Sequence, residues 1–165
     1  MAERYTSGIA KLILVFFFSL LGSEPALTHT VAEAAALWGL VGRWQTDCSI
    51  PGTRDNPPEV FTVRDGHLFF STNSRDVNPS PVLSGAITAD HALSLVTDFR
   101  TMNLAERPLV QEVRQELYLK DGNGRIRVFQ NKNVNNNRSY VIDGVVRDKL
   151  SEFNGKPTPW MTRCD

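Results

Sequence analysis

GLVGRWQTDC, residues 39 to 48, carries a glycine two residues before a tryptophan and ends on one of the chain's two cysteines. In an extended chain Gly42, Trp44, Thr46 and Cys48 share one face, and Arg43, Gln45 and Asp47 share the other. The stretch therefore reads as a half-buried strand with its tryptophan inward. The second cysteine, Cys164, stands one residue from the C-terminus of the sequence. What lies between the two decides whether the ends of the fold meet.

Upstream of this strand, Met1 to Lys11 is polar and carries Arg4 and Lys11, Leu12 to Gly22 (LILVFFFSLLG) is apolar, and Ser23 to Ala36 is rich in small residues. A basic start, a short apolar run and an A-x-A-like site describe a secretory signal peptide. The apolar run is far short of the roughly 20 residues that cross a bilayer. We expect a signal peptide over residues 1–34, with Ala34-Ala35-Ala36 as the rival cleavage site and a retained N-terminal anchor as the other reading. The expected location is periplasmic or secreted, with no membrane span after cleavage.

The remaining domain, residues 35–165, holds 16 basic and 15 acidic side chains. A balance this even, with its arginines scattered, gives no field that would draw nucleic acid or an anionic membrane surface. Both cysteines stay in the domain, and in an exported protein an even pair reads as a disulfide, Cys48–Cys164. Two free thiols or an intermolecular bridge are the alternatives.

Strand and turn signals fill the rest. Ser49 to Pro58 is a proline-rich loop, and Glu59 to Ser71 is two β-prone runs around Asp65-Gly66, a hairpin signal. After a second loop, Val82 to Ile87 and Leu93 to Arg100 flank the turn Ala89-Asp90-His91. Thr101 to Pro108 is a loop or one helical turn, Gln111 to Lys120 alternates again, and Asp121 to Gly124 turns into Arg125 to Gln130. Arg138 to Arg147 gives a further strand, with Gly144 as a bulge or close approach. There is neither a long helix after the signal nor an internal repeat. About eight strands joined by short turns predict an all-β fold, a single antiparallel up-and-down β-barrel. A Cys48–Cys164 bond would hold the first strand and the tail at a Cα separation of roughly 4.4–6.8 Å, and closure would remove the exposed edges.

Gly42-Arg43-Trp44, opening the first strand of such a meander, resembles the G-x-W signature of the lipocalin (calycin) superfamily. Thr97-Asp98-Phe99 is similar to its second motif, T-D-Tyr, with phenylalanine in place of tyrosine. The resemblance implies an eight-stranded barrel closed at one end by Trp44, with Gly42 letting backbone pass close by. It also implies a late arginine stacked on the tryptophan, for which Arg147 and Arg163 are the candidates, and a carrier function. The family's long C-terminal helix has no counterpart.

No catalytic set converges. His67 and His91 sit at turns away from any metal-ligand spacing, and no G-x-S-x-G, H-E-x-x-H or phosphate loop occurs. Glu112 and Glu116 alternate with Arg114 on what reads as the solvent face of their strand. We therefore expect a non-enzymatic monomer without metal or cofactor. Residues expected to line the interior are Phe61, Phe69, Leu93, Leu95, Phe99, Leu117, Leu119 and Tyr140, with Gln115 as a polar feature inside. An eight-stranded barrel has room for its own side chains or for one small ligand. The expected function is binding of a small apolar or amphipathic ligand. The alternative is a protein-binding barrel that acts through its loops as an inhibitor or cell-envelope accessory protein.

Overall fold

The computed structural model describes residues 29–53, 56–72, 78–101 and 110–164. One helix, α1 (Val31–Trp38), precedes ten strands: β1 (Gly42–Gln45), β2 (Glu59–Arg64), β3 (His67–Ser71), β4 (Ser80–Ile87), β5 (Leu93–Thr101), β6 (Val110–Lys120), β7 (Ile126–Asn133), β8 (Ser139–Ile142), β9 (Val145–Val146) and β10 (Thr162–Cys164). The Asp65-Gly66 signal becomes the β2–β3 turn, with φ of 50° and 76° at the two residues and Arg64 paired to His67. Two positive φ values are what a two-residue hairpin requires, because they match the strand twist.

The strands form a single antiparallel sheet in the order β10-β1-β2-β3-β4-β5-β6-β7-β8-β9. This corrects the expectation of a closed, eight-stranded barrel: there are ten strands, and the ladder leaves β9 and β10 as its two edges. The reason lies in the last stretch of chain. β9 has two residues, and the segment returning from it carries Pro157 and Pro159, which have no N–H to offer a ladder. That segment crosses the gap by single bridges, Val145 to Pro157 and Ile126 to Met161, and by the Thr158 hydroxyl, which donates to the Val128 carbonyl at 2.6 Å.

The sheet is nevertheless strongly curled. β2 and β6 stand four places apart, which on a flat sheet would be about 19 Å; yet the Tyr118 hydroxyl lies 3.3 Å from the Glu59 carboxyl and its ring meets Phe61 edge-on at 5.7 Å. The concave face carries the core, including Trp44, Phe61, Leu68, Phe70, Leu93, Leu95, Tyr118 and Ile126.

α1 was not expected. Its start is a capping box: the Thr30 hydroxyl accepts from the Glu33 N–H at 3.2 Å, and the Thr30 N–H donates to the Glu33 carboxylate at 2.7 Å. Gly39, at φ 81°, ends the helix in the left-handed region. Ala32, Ala35 and Trp38 join the core. The small side chains let the helix lie close to the sheet. A Cβ placed on Gly85 of β4 would stand 2.8 Å from Val31 Cγ2 and 2.7 Å from Leu95 Cδ2. The Trp38 indole donates to the His91 carbonyl in the β4–β5 turn at 2.7 Å, and Lys120, at the end of β6, donates to the Trp38 carbonyl. One end of the curl is thereby closed. The boundary expected after Ala34 falls inside this helix, with Ala32 and Ala34 both buried. Residues 1–28 of the expected signal peptide lie outside the described residues, as do 73–77 and 102–109 of the expected loops.

Cys48 and Cys164 are bonded, with their Cα atoms 5.4 Å apart. The bond fastens the β1–β2 loop to the end of β10, whose register with β1 pairs Arg43 with Cys164. No described helix is long and apolar enough to cross a membrane.

Candidate functional site

The end of the curl away from α1 holds a cavity of about 500 Å³. β5 leaves the His91 turn, where Trp38 is tied, and reaches the cavity at Phe99. Phe70, Phe99, Val128, Val141, Val146 and Met161 make the walls, and Phe153 and Lys156 of the tail stand beside them. Among the polar side chains that also line it are Glu59, Arg114, Glu116 and Asn131.

Strand register brings these groups together. Leu95, Glu116 and Asn131 form one row across β5, β6 and β7, and Leu93, Tyr118 and Val128 form the next. Side chains directly opposite one another on neighbouring strands point to the same face, so Glu116 and Tyr118 follow the inward Leu95 and Leu93. Glu116 is 4% exposed and Tyr118 fully buried. The Tyr118 hydroxyl stands 3.3 Å from a carboxyl oxygen of Glu59 and 3.3 Å from one of Glu116. It has one proton to donate, so the second contact is a hydrogen bond only when that carboxyl carries a proton.

The electrostatics favour that state. Burial pushes Glu59 up to about 8, the charge of Glu116 adds to the rise, and the hydrogen bond from Tyr118 opposes it. Burial likewise pushes Glu116 up to about 7, against the Arg114 charge and the Tyr118 hydrogen bond. Tyr118 itself is raised well above the ordinary phenol range by burial and by both carboxylates. Asn131 donates its amide N–H to the other oxygen of Glu116 at 2.7 Å. The Asn131 Oδ1 atom is shielded and has no hydrogen-bond partner.

Arg114 is already engaged. Glu112 accepts from its Nε at 2.9 Å and forms an ion pair with its terminal nitrogen at 2.9 Å. Its guanidinium lies over the rings of Phe99 at 4.1 Å and Tyr140 at 4.7 Å, and the Tyr140 hydroxyl donates to the same Glu112 carboxylate. A cation clamped this way is a wall of the cavity more than a free charge in it.

The sequence-derived candidates scatter over both faces. Phe61, Leu93 and Leu95 are buried in the core, Phe99 lines the cavity, and Tyr140 is half-buried against Arg114. Phe69 faces away from the cavity: it pairs with Thr62, whereas Phe70 pairs with the inward Phe61. Gln115 and Leu117 line a separate groove with Ser94, and Leu119 shares their side of β6. The alternation of β6 thus runs in the opposite phase to that expected, and Glu112, Arg114 and Glu116 turn inward instead of to solvent. Gln115 and Leu117 are half-buried because the outer face is itself grooved. Trp44 is 2% exposed, and its indole donates to the Leu40 carbonyl at 2.7 Å. His67 and His91 are exposed at turns.

Glu59, Arg114, Glu116, Tyr118 and Asn131 were missed as site residues. One signal for them was available: Glu112, Arg114, Glu116 and Tyr118 share a parity, and a face mixing both charge signs with a tyrosine can neutralise and satisfy itself when buried. No protein-family model, curated protein or solved structure matches the chain.

The raised carboxyls predict how stability depends on pH. Both hold protons in the folded state over a range where the unfolded chain has lost them, so unfolding releases protons. Their contribution is complete below the ordinary glutamate range near pH 4.5 and declines as pH rises through about 7 and 8. Wild-type protein is expected to lose on the order of a few kcal/mol between pH 5 and 8 in denaturant titrations. The double variant Glu59→Gln, Glu116→Gln is expected to lose much less. An identical pH slope in the two proteins would contradict the assignment.

Proposed function

We propose that the protein is an exported, lipocalin-like binding protein that holds a small amphipathic ligand in this cavity, with its apolar part against Phe70, Phe99 and Val141 and its polar end at Glu59, Glu116 and Asn131, the two carboxyls backed by the Tyr118 hydroxyl. The observation that carries the proposal is the composition of the cavity: about 500 Å³ of largely apolar wall around a few convergent polar groups. That combination is typical of small-molecule sites.

The disulfide supports an oxidising location outside the cytoplasm. Support for the lipocalin-like reading comes from the strand carrying Gly42 and Trp44. Trp44 pairs with Arg163 across β1 and β10, and a Cβ on Gly42, whose φ is 142°, would lie 2.9 Å from Arg163 Nε. Of the two arginines the resemblance left open, Arg163 is the one beside this motif.

A second reading, attachment to a protein partner, is favoured by the segment after β9, where Leu150 is 87% exposed and Phe153 is 46% exposed. Titration with Nile red, a neutral fluorophore that brightens in apolar surroundings, separates the two. Saturable binding is expected at one site per chain. Val141→Trp, which fills the cavity, is expected to weaken it by about ten-fold or more. Unchanged binding by a folded Val141→Trp protein would move the site elsewhere.

A further inference from the structure

Resting on the cavity reading above, we infer that the ligand's polar end is an ammonium group, so that the natural ligand is an amine carried on an apolar chain or ring. With Glu59 and Glu116 ionised, the cavity floor is a set of acceptors. Glu59 and Glu116 converge on one hydroxyl, each 3.3 Å from Tyr118 Oη, and no lysine or arginine is paired with either carboxyl among the described contacts. A third acceptor, Asn131 Oδ1, belongs to a side chain that is 8% exposed, lines the cavity, and makes no hydrogen bond through that atom. A shielded acceptor left unsatisfied is costly, and a small shift of the Asn131 amide that opens it to a ligand N–H would remove the cost.

An ammonium group has three donors and no acceptor, which matches three acceptors of this kind. Carboxylate or phosphate heads would place acceptor against acceptor. An alcohol could satisfy only one of the three with its single proton.

The charged and titratable groups facing the floor are Glu59 from β2, Glu112, Arg114, Glu116 and Tyr118 from β6, Tyr140 from β8 and Lys156 from the tail. Glu112 and Arg114 neutralise each other at 2.9 Å, and Lys156 stands over the Phe153 ring at 5.4 Å. Arg114 favours the ionised form of Glu116 through its charge, but neither cation forms an ion pair with the two carboxyls among the described contacts. Burial favours the protonated form of both carboxyls; an ammonium ion beside them takes over the role of those protons, which pass to solvent. Amine affinity should therefore increase from pH 6 to pH 8, while the affinity of a neutral ligand should not.

The test is competition against bound Nile red by three chains of equal length: decylammonium, decanol and decanoate. Decylammonium is expected to displace the dye about ten-fold or more tightly than either of the others at pH 7.5, the margin of one hydrogen bond to a charged group. Glu116→Gln should abolish the preference for decylammonium over decanol, and Glu59→Gln serves if the first variant does not fold. Equal displacement by decylammonium and decanol, or an undiminished preference in a folded Glu116→Gln protein, would overturn the amine assignment and leave the cavity reading intact. Failure of Nile red and all three chains to bind would overturn both.

Discussion

Trp44→Ala is expected to lower the free energy of unfolding by about 3–5 kcal/mol, the range for truncating a large core aromatic. Trp44 is 2% exposed and sits between β10 and β2, paired with Arg163 on one side and Glu59 on the other. The substitution opens a cavity at the strand that joins the start of the meander to the C-terminal strand β10. It also leaves the Leu40 carbonyl without the indole donor that now stands 2.7 Å away. Urea titration followed by circular dichroism measures the loss. A value below about 1 kcal/mol would remove Trp44 from the core and with it the alignment to the G-x-W strand.

Breaking the Cys48–Cys164 bond by the double substitution Cys48→Ser, Cys164→Ser is expected to cost about 4–5 kcal/mol in the chain-entropy account. The bond closes a loop with a sequence separation of 116. That restriction acts mainly on the unfolded chain, so the folded spectrum should be preserved while the denaturation midpoint falls. β10 is three residues long and pairs only with β1, so beyond the Ile126–Met161 bridge the disulfide is the main anchor of the tail's end. The variant should therefore also expose Trp160 and Met161 to fluorescence quenchers and oxidants below the global midpoint. If unfolding is as resistant in the double variant as in the wild type, the tail strand is held by its other contacts and the entropic argument fails.

These two features were legible in the sequence because each rests on a local rule with one sensible outcome. An alternating strand with one tryptophan has an inward face, and two cysteines in an oxidising compartment have one intramolecular pairing. The Asp65-Gly66 hairpin was legible for the same reason. β6 was not. Its two parities, Gln111, Val113, Gln115, Leu117, Leu119 and Glu112, Arg114, Glu116, Tyr118, each mix apolar with polar groups, and a one-residue change of phase exchanges the faces completely. Hydrophobicity favours the first set. The structure buries the second because Arg114 is neutralised by Glu112 and the carboxyl of Glu116 is met by Tyr118 and Asn131, contacts that exist only after β7 and β8 are in place. The candidate site lies on that face, so misreading the phase hid it.

Phe69 and Phe70 pose the same ambiguity over two residues, which their partners Thr62 and Phe61 resolve. α1 was obscured differently. A run of alanines suits both a peptidase site and a close-packed helix, and the Thr30–Glu33 capping box was the local signal for the helix.

The strand order has a consequence for synthesis. Every strand from β2 to β9 finds a partner in the strand made just before it, but β1 must wait for β10 to cover its other edge. At roughly 5–20 residues per second, the 116 positions separating Cys48 from Cys164 take about 6–23 s to emerge. Throughout that interval the growing chain carries an open strand edge beside a thiol that has no partner yet. Any pause while the middle strands are being made prolongs the period in which another chain could occupy that edge.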